Sequence, residues 1–388
     1  MATVSREEIQ KAVELVSVAM SKRPTAVFHE SARIEVSGGR LRITGTDGAV
    51  FASRSIDCTV GDEWLRCVET DALTSSILQG NADSVSFEVQ KNAVVVRCGG
   101  ARVELPTLND DAVPDVPEIS GRKITADPQK LLDAIERTEF ATNVAELANI
   151  RGSVWIGCGD DPASVAATDS YILAVYRMPL EGECPGVLVP RSMCGIVKKI
   201  CALSTGSIEI TVAESGTAKI ESADSVVVIS THGTQYCKYS KVIESAPDKW
   251  VCVSAGELLQ ALDGCLPFAR KDLDRVRLEC RNAGNALKLC VAACGHTGSS
   301  FATGFDVEPE GSGGFAIILN RRYLHDAVKG CRTDKVNLYI EKEMQPVAVR
   351  PHGDAESYVC VIAPMEFSEW AEQAVNSWFE DAKDAVEK

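Results

Sequence analysis

The chain has 388 residues, of which 45% are apolar and 24% charged, with a formal net charge of −15. That length holds two or three domains with ordinary cores, and the composition excludes a disordered chain. No apolar run is long enough to cross a membrane and the first residues carry no secretory core, so a cytoplasmic protein with no membrane partner is expected.

The first predicted element is a helix opened by the capping box Ser5-Arg6-Glu7-Glu8 and continued by Ile9, Val13, Val16 and Met20 at helical spacing. Leu41 to Asp47 reads as a strand ending in Thr-Gly-Thr-Asp, and Thr70 opens a second helix over Asp71 to Leu78. Alternating strands follow at Val85 to Val89 and Val94 to Arg97. The pattern then restarts. Asp127-Pro128, an N-cap with proline at the first helical position, leads into Leu131, Leu132 and Ile135. Ala163 to Asp169 repeats the Thr-Asp strand end at an offset of 122, and Pro190 opens a helix over Arg191 to Leu203.

A third start is the capping box Ser254 to Glu257, and Asn320 opens a helix over Arg321 to Cys331. First helices therefore begin at 5, 127 and 254, which is an internal repeat of about 123 residues. The third copy, Leu287 to Ala293, has Ala292-Ala293 in place of Thr-Asp. The reading is three α+β domains, each with two helices and several antiparallel strands: residues 1–122, 123–248 and 249–366. Beyond them, Phe367, Trp370, Ala371, Ala374, Val375, Trp378, Phe379, Ala382 and Val386 recur at three and four, predicting an acidic amphipathic helix over 367–388. It is expected either to dock on the third domain or to lie beside a partner site.

Fifteen cysteines invite a metal or disulfide reading, but no CxxC pair exists, and Cys290, Cys294 and His296 make only half of a zinc site. Most thiols sit in apolar runs such as Val251-Cys252-Val253, where a thiol behaves as a small hydrophobe. No phosphate loop or nucleophile elbow is present, so catalytic residues, metal ligands and cofactors are all expected to be absent. The acidic balance taken alone argues against nucleic acid, because affinity for it comes from lysine and arginine neutralising phosphates.

Several strings together resemble the beta clamp subunit of bacterial DNA polymerase III. They are Arg23-Pro24-Thr25, the Thr-Gly-Thr-Asp ending at Asp47, Ala167-Thr168-Asp169-Ser170-Tyr171-Ile172-Leu173-Ala174, Val189-Pro190-Arg191, and Tyr358-Val359 running to Pro364-Met365. The resemblance spans residues 1–366 in order. It implies a non-enzymatic DNA sliding clamp, in which three like domains form half a ring, helices line the hole, sheets lie outside, and two copies close head to tail. Such a ring tethers the replicative polymerase, the clamp loader and other proteins carrying a clamp-binding motif to encircled duplex DNA. A closed ring needs little attraction to phosphate, which removes most of the charge objection, and an acidic exterior repels stray DNA.

The resemblance also implies site residues. The partner-peptide pocket would be Ile150, Thr168, Ser170, Tyr171, Leu173, Val242, Val361, Ala363 and Met365, with Pro364 shaping the strand. Three positions depart from the family's pattern: Cys237 stands for proline, Ser170 for glycine, and Ala363 for a larger apolar residue. DNA-facing cations would be Lys22, Arg23, Arg191, Lys198, Lys199, Arg321 and Arg322. The dimer interface would set Val103 and Leu105 against Leu266 and Phe268, with Arg270 and Lys271 near Glu104. The alternative is a clamp-fold interaction scaffold that does not load on DNA, favoured by the lack of cations on the helix over Asp71 to Leu78. Retention on closed circular DNA separates the two.

Overall fold

The computed structural model describes residues 1–20, 25–59, 62–143, 145, 149–157, 162–182, 186–233, 236–244, 250–269, 273–283, 286–295, 298–310, 314–340, 344–366 and 371–384. The helices, in chain order, are α1 Arg6–Val18, α2 Thr70–Gln79, α3 Pro128–Thr138, α4 Cys194–Leu203, α5 Ser240–Glu244, α6 Ala255–Ala269, α7 Arg321–Cys331 and α8 Glu372–Asp384. The chain divides into two compact units, Met1–Asp133 with Pro179–Gln235, and Ala134–Met178 with Tyr236–Lys388. The architecture is α+β, and every strand pairing described below is antiparallel.

Helix starts follow the sequence closely, though not always by the expected bond. Asp127 caps α3, its Oδ1 accepting from the amides of Gln129 at 2.9 Å and Lys130 at 3.1 Å, and Ser254 Oγ accepts from the Glu257 amide at 3.3 Å. The capping box at α1 does not close. Ser5 makes no side-chain cap bond, and the Glu8 carboxylate, which a capping box would turn back to the Ser5 amide, is taken by Lys11 at 2.8 Å and by Arg54 at 3.0 Å. Two strong charged donors outcompete one backbone amide.

In the first unit, one sheet runs in the order Ala2–Ser5, Ser84–Val89, Ala93–Cys98, Ala101–Pro106. A longer sheet joins Arg122–Ala126, Ile208–Val212, Thr217–Glu221, Ser225–Ser230, Phe51–Asp57, Arg40–Thr46, Ser31–Ser37 and Trp64–Glu69. Ile9, Val13 and Val16 of α1 and Leu73 and Ile77 of α2 close the core over Ile34, Ile43, Phe87, Val94 and Leu105. Arg54 is buried where Ser225 pairs opposite it, and its guanidinium donates to Ser225 Oγ at 2.8 Å as well as to Glu8.

The second unit has its own long sheet: Ser153–Gly157, Ser164–Thr168, Ile172–Arg177, Tyr358–Ile362, Val347–Pro351, Lys335–Tyr339, Trp250–Ser254 and Glu308–Glu310. A four-stranded sheet follows the order Ser300–Asp306, Ala286–Cys294, Arg275–Ala283, Phe315–Asn320. Helix α6 packs on it and on α7, and α8 packs on its strands Arg275–Ala283, Ala286–Cys294 and Ser300–Asp306. Of the two expectations for the tail, docking on the third-repeat sheet is therefore the one observed; Phe367, Trp370 and Val386 lie outside the described residues. The thiols of Cys201, Cys265, Cys280, Cys290, Cys331 and Cys360 are free and buried among apolar neighbours.

Two of the three copies of the repeat form the same turn. At the first Thr-Asp turn, Thr46 Oγ1 donates to Val50 O at 2.6 Å, and Asp47 Oδ1 accepts from the amides of Ala49 at 2.9 Å and Val50 at 2.8 Å. At the second, Thr168 Oγ1 donates to Ile172 O at 2.7 Å, and Asp169 Oδ1 accepts from Tyr171 at 2.9 Å and Ile172 at 3.0 Å. The residue after each aspartate has a left-handed backbone, Gly48 with φ +89° and Ser170 with φ +84°. In the third copy, Ala292-Ala293 offers no side-chain acceptor, and the strand runs on to Cys294.

Candidate functional site

The second Thr-Asp turn sits beside an apolar cleft. Strand Ile172–Arg177 is central, pairing Leu173 with Thr168 on one side and with Val361 on the other. The chain continues past Ile362, and the Ala363 amide donates to Tyr171 O at 2.8 Å. A third wall comes from Ile150–Gly152, a single helical turn capped by Asn149, whose Oδ1 accepts from Arg151 N at 2.9 Å and Gly152 N at 3.2 Å. A fourth is α5, whose Val242 amide donates to Tyr239 O at 2.9 Å. An aromatic column props that wall: Tyr236 stacks on Trp155 at 5.4 Å and meets Tyr239 edge-on at 6.1 Å. The buried Tyr239 hydroxyl is hydrogen-bonded to Ser164 Oγ.

The cleft holds about 710 Å³ and gathers Ile150, Thr168, Ser170, Tyr171, Leu173, Val242, Val361 and Ala363, eight of the ten residues expected from sequence. Pro364 and Met365 do not line it. Met365 is turned toward the neighbouring sheet, its amide donating to Ile318 O at 2.9 Å. Asn149, Arg151, Ile172, Cys237, Tyr239 and Pro346 complete the lining. Of these, Cys237 is legible in the sequence as a departure from the family's pattern and Ile172 as part of the Ala167 to Ala174 string. Asn149, Arg151, Tyr239 and Pro346 are not, although the paired tyrosines Tyr236 and Tyr239 are a signal of local packing.

Two apolar side chains stay exposed here, Tyr171 at 67% and Val242 at 42%. Exposed aliphatic and aromatic surface in a concave site is what an apolar ligand side chain would cover, and burying one leucine or phenylalanine is worth about 1.5–3 kcal/mol. The turn is braced from behind by the Tyr323 hydroxyl, which donates to Asp169 Oδ2. Burial, and then this bond to a carboxylate, push the Tyr323 phenol up to about 12, so it remains a neutral donor across the physiological range.

Ser170 is strained at the rim. A side chain in the left-handed region costs roughly 1–2 kcal/mol, whereas glycine costs about 0.5–1 kcal/mol more in the unfolded chain. Ser170→Gly should therefore raise stability by about 0.5 kcal/mol in chemical denaturation, bringing this turn to the composition of Gly48 in the first copy. A lower stability would mean that the serine hydroxyl matters more than the backbone.

The expected DNA-facing cations are scattered. Lys22 and Arg23 lie outside the described residues. Arg191 stands at the turn Arg191–Met193 before α4, and Lys198 and Lys199 lie on α4, Lys199 donating to Glu14 at 2.6 Å. Arg322 is exposed, its guanidinium 5.5 Å from the Tyr323 ring centre. Arg321 corrects the expectation. It is 7% exposed, and its Nε donates to Asp274 Oδ1 at 2.8 Å while its amide donates to Asp274 O at 2.7 Å. Its job is to clip the loop before strand Arg275–Ala283 to the start of α7.

The expected interface residues divide in the same way. Leu105 is 2% exposed and belongs to the core, with Val103 packed on that core; strand parity turns Arg102 and Glu104 outward instead, where they pair at 3.2 Å. Leu266 and Phe268 are half-buried on α6, Phe268 stacked on Phe301 at 6.0 Å. Arg270 and Lys271 lie outside the described residues, as does His296 of the half zinc set. No group of three or more metal-binding side chains occurs among the described residues, and no helix among them is long and apolar enough to cross a membrane.

Comparison with known proteins agrees with the motif resemblance. Residues 1–117 match the family described as DNA polymerase III beta subunit, N-terminal domain. The Bacillus subtilis beta sliding clamp is 24% identical over 385 residues, covering 94% of this chain and 98% of the relative. The Synechococcus elongatus beta sliding clamp is 23% identical, covering 90% and 94%. Among solved structures, the DNA polymerase III beta subunit of Pseudomonas aeruginosa superposes with a TM-score of 0.82 at 20% identity, covering 95% of this chain and all of that one. The Thermotoga maritima beta subunit gives 0.81 at 18%.

Proposed function

We infer that this chain, a relative of the bacterial beta sliding clamps, is a DNA sliding clamp: it encircles duplex DNA and holds the replicative polymerase and other DNA enzymes to it. The observation that carries this reading is similarity from end to end, over 94% of this chain and 98% of the Bacillus subtilis clamp, on a fold shared at a TM-score of 0.82. A partial match would have left the architecture without its use.

The activity is topological and not enzymatic. Three clamp domains, residues 1–122, 123–248 and 249–366, make half of a ring, and a second copy of the chain closes it. Once closed, the ring leaves DNA only at an end or by opening, so residence does not depend on tight phosphate contact. That is compatible with a net charge of −15. Arg191, Lys198, Lys199 and Arg322 remain the cations proposed to meet the phosphates. Closure uses the exposed edge of strand Ala101–Pro106, now with Arg102 and Glu104 presented instead of Leu105. A clamp loader places the ring, and the compartment is the cytoplasm.

The cleft beside Tyr171 is the proposed partner site. In support, it is apolar, preformed and built by residues at family-matching positions, and a Pseudomonas aeruginosa clamp of the same fold, at a TM-score of 0.85, is known bound to griselimycin. In a primer-extension assay with polymerase and loader, the intact chain should lengthen the product of each binding event. Tyr171→Ala should leave folding within about 0.5 kcal/mol yet weaken polymerase tethering roughly 30-fold, the loss of a central aromatic anchor of about 2 kcal/mol. Full processivity from the variant would refute the cleft, and no stimulation by the intact chain would refute the clamp.

A further inference from the structure

Among the described residues, two strands stand at the open ends of their four-stranded sheets, Ala101–Pro106 in the first unit and Ser300–Asp306 in the second. The internal repeat shows how such ends meet. Phe51 and Leu173 each lie opposite the threonine of a Thr-Asp turn. On the other side each pairs with a strand of the following repeat, Phe51 with Val228 and Leu173 with Val361. The third-repeat equivalent is Ala302, opposite Ala292, and no following repeat is left for it. The first-repeat equivalent of Val228 is Glu104, since each stands three residues past the end of a two-residue hairpin turn, at Ser225 and at Ala101.

Joined in that antiparallel register, Ala302 of one chain meets Glu104 of a second copy, and Gly304 meets Arg102. The faces then agree. Phe301, stacked on Phe268 of α6, falls opposite Leu105, and Thr303 opposite Val103, both of which belong to the core side of their strand. A slip of one residue would turn these side chains to the wrong face. Arg102 and Glu104 fall on the face where α8 is seated by Val375 and Phe379. There Trp378 covers Gly304, where a Cβ would stand 2.5 Å from the indole. Beside it, an open groove of about 410 Å³ is lined by Ser300 and Ala302 of the strand and by Ser377, Trp378 and Asp381 of α8. The strand itself offers Arg102 no partner, because its only acid, Asp306, is held by Lys288.

We propose that α8 is a clasp on the ring closure: the second copy's Arg102 lies on the Trp378 indole, with Asp381 as its counter-charge. This rests on the reading that a second copy closes the ring, and it names what that copy engages. Side chains directly opposite each other on one face of a strand pair have Cβ atoms about 4.5–5.5 Å apart, so an arginine opposite Gly304 reaches the ring above it. Within its own chain Arg102 is held only by the half-exposed Glu104, at 3.2 Å, a weak pair that the new contact replaces. Glu104 then faces the groove, where the Ser300 and Ser377 hydroxyls can donate to it. A two-fold ring has two identical closures, so every contact of the clasp counts twice in the dimer's affinity.

The test is the dimer dissociation constant, measured by diluting fluorescently labelled full-length chain, for the intact protein, Arg102→Ala, Trp378→Leu, the two combined, and Asp381→Lys. Each of the first two variants should weaken the dimer roughly a hundredfold, about tenfold per closure. Combined, they should weaken it no further, because both remove one contact. Asp381→Lys, on the exposed flank of α8, should weaken it at least tenfold by setting like charges together. Amide exchange across Glu372 to Asp384 checks that Trp378→Leu leaves α8 seated; if it does not, Asp381→Lys decides alone. Losses that multiply in the combined variant, or a dimer indifferent to Asp381→Lys, overturn the clasp and leave the closure reading intact. An intact chain that stays monomeric at every concentration overturns the closure reading and the clasp with it.

Discussion

The protein should unfold in mild alkali, losing most of its stability between pH 9 and 11. Burial pushes the thiols of Cys201, Cys265, Cys280, Cys290 and Cys331 from an ordinary 9.0 up to about 12. A raised folded value means that the native state holds its proton while the unfolded chain gives it up. The unfolded state therefore binds fewer protons above pH 9, and stability falls as pH rises toward the folded value near 12. One unit above the unfolded value each thiol costs about 1.4 kcal/mol, so five together cost roughly 5–7 kcal/mol at pH 10, comparable with the whole stability of a typical domain. Four of the five lie in the unit containing Tyr236–Lys388, which should fail first. Urea midpoints measured from pH 7 to 10.5 under reducing conditions check this. A flat profile through pH 10 would mean that these thiols ionise without unfolding, and that the core is wetter than its packing implies.

Replacing Glu279 by alanine should cost about 3–5 kcal/mol, the usual result of breaking a buried ion pair from one side. Glu279 is 7% exposed and Arg277 3%. Its Oε2 accepts from Arg277 Nε at 3.0 Å, and its Oε1 from Arg281 Nε at 2.6 Å. Strand parity places all three on the sheet face that α8 covers, so the alanine variant leaves the buried Arg277 guanidinium, and the half-exposed Arg281, without the carboxylate they share. Glu279→Gln keeps the shape and part of the hydrogen bonding and should lose less. Chemical denaturation of both variants checks the order, and a loss below about 1 kcal/mol for alanine would show that water reaches the row.

Local chemistry with one outcome was legible in the sequence. Asp127 and Ser254 cap as read, because a short polar side chain before an apolar periodic run has little else to do. The Thr-Asp strand ends predicted the repeat, and the turns at Asp47 and Asp169 prove bonded alike. The errors come where a residue has a choice that only the fold decides. Glu8 had the right spacing for a capping box but met Arg54, which is 46 residues away. The alternation Arg102, Val103, Glu104, Leu105 announced a half-buried strand without saying which face is buried, and the core claimed Leu105. Arg321 looked like a helix-start cation on a surface, and Asp274 in a loop of unpredicted conformation claimed it.

The cleft was legible through the family resemblance, which tied Thr168, Tyr171 and Leu173 to Val361 across almost two hundred residues of sequence. Asn149 and Tyr239 were not, since they belong to loops whose position depends on the Trp155, Tyr236 and Tyr239 column. The tail was legible as an amphipathic helix from its spacing. Its seat was not, because the sheet there is marked only by small side chains, Ala283, Cys290 and Ala292, which pack against Val375 and Phe379.

The central claim is that the chain works by enclosing DNA, and topology tests it most directly. Labelled protein should be placed on nicked circular DNA by a clamp loader and then passed through a sizing column, in salt high enough to strip proteins held by phosphate contacts alone. The clamp reading predicts that it stays with the circle and is released when a single cut makes the DNA linear. Protein that leaves circles and linear DNA equally fast, or that a loader cannot place on circles at all, would contradict it and leave an interaction scaffold with a clamp's fold.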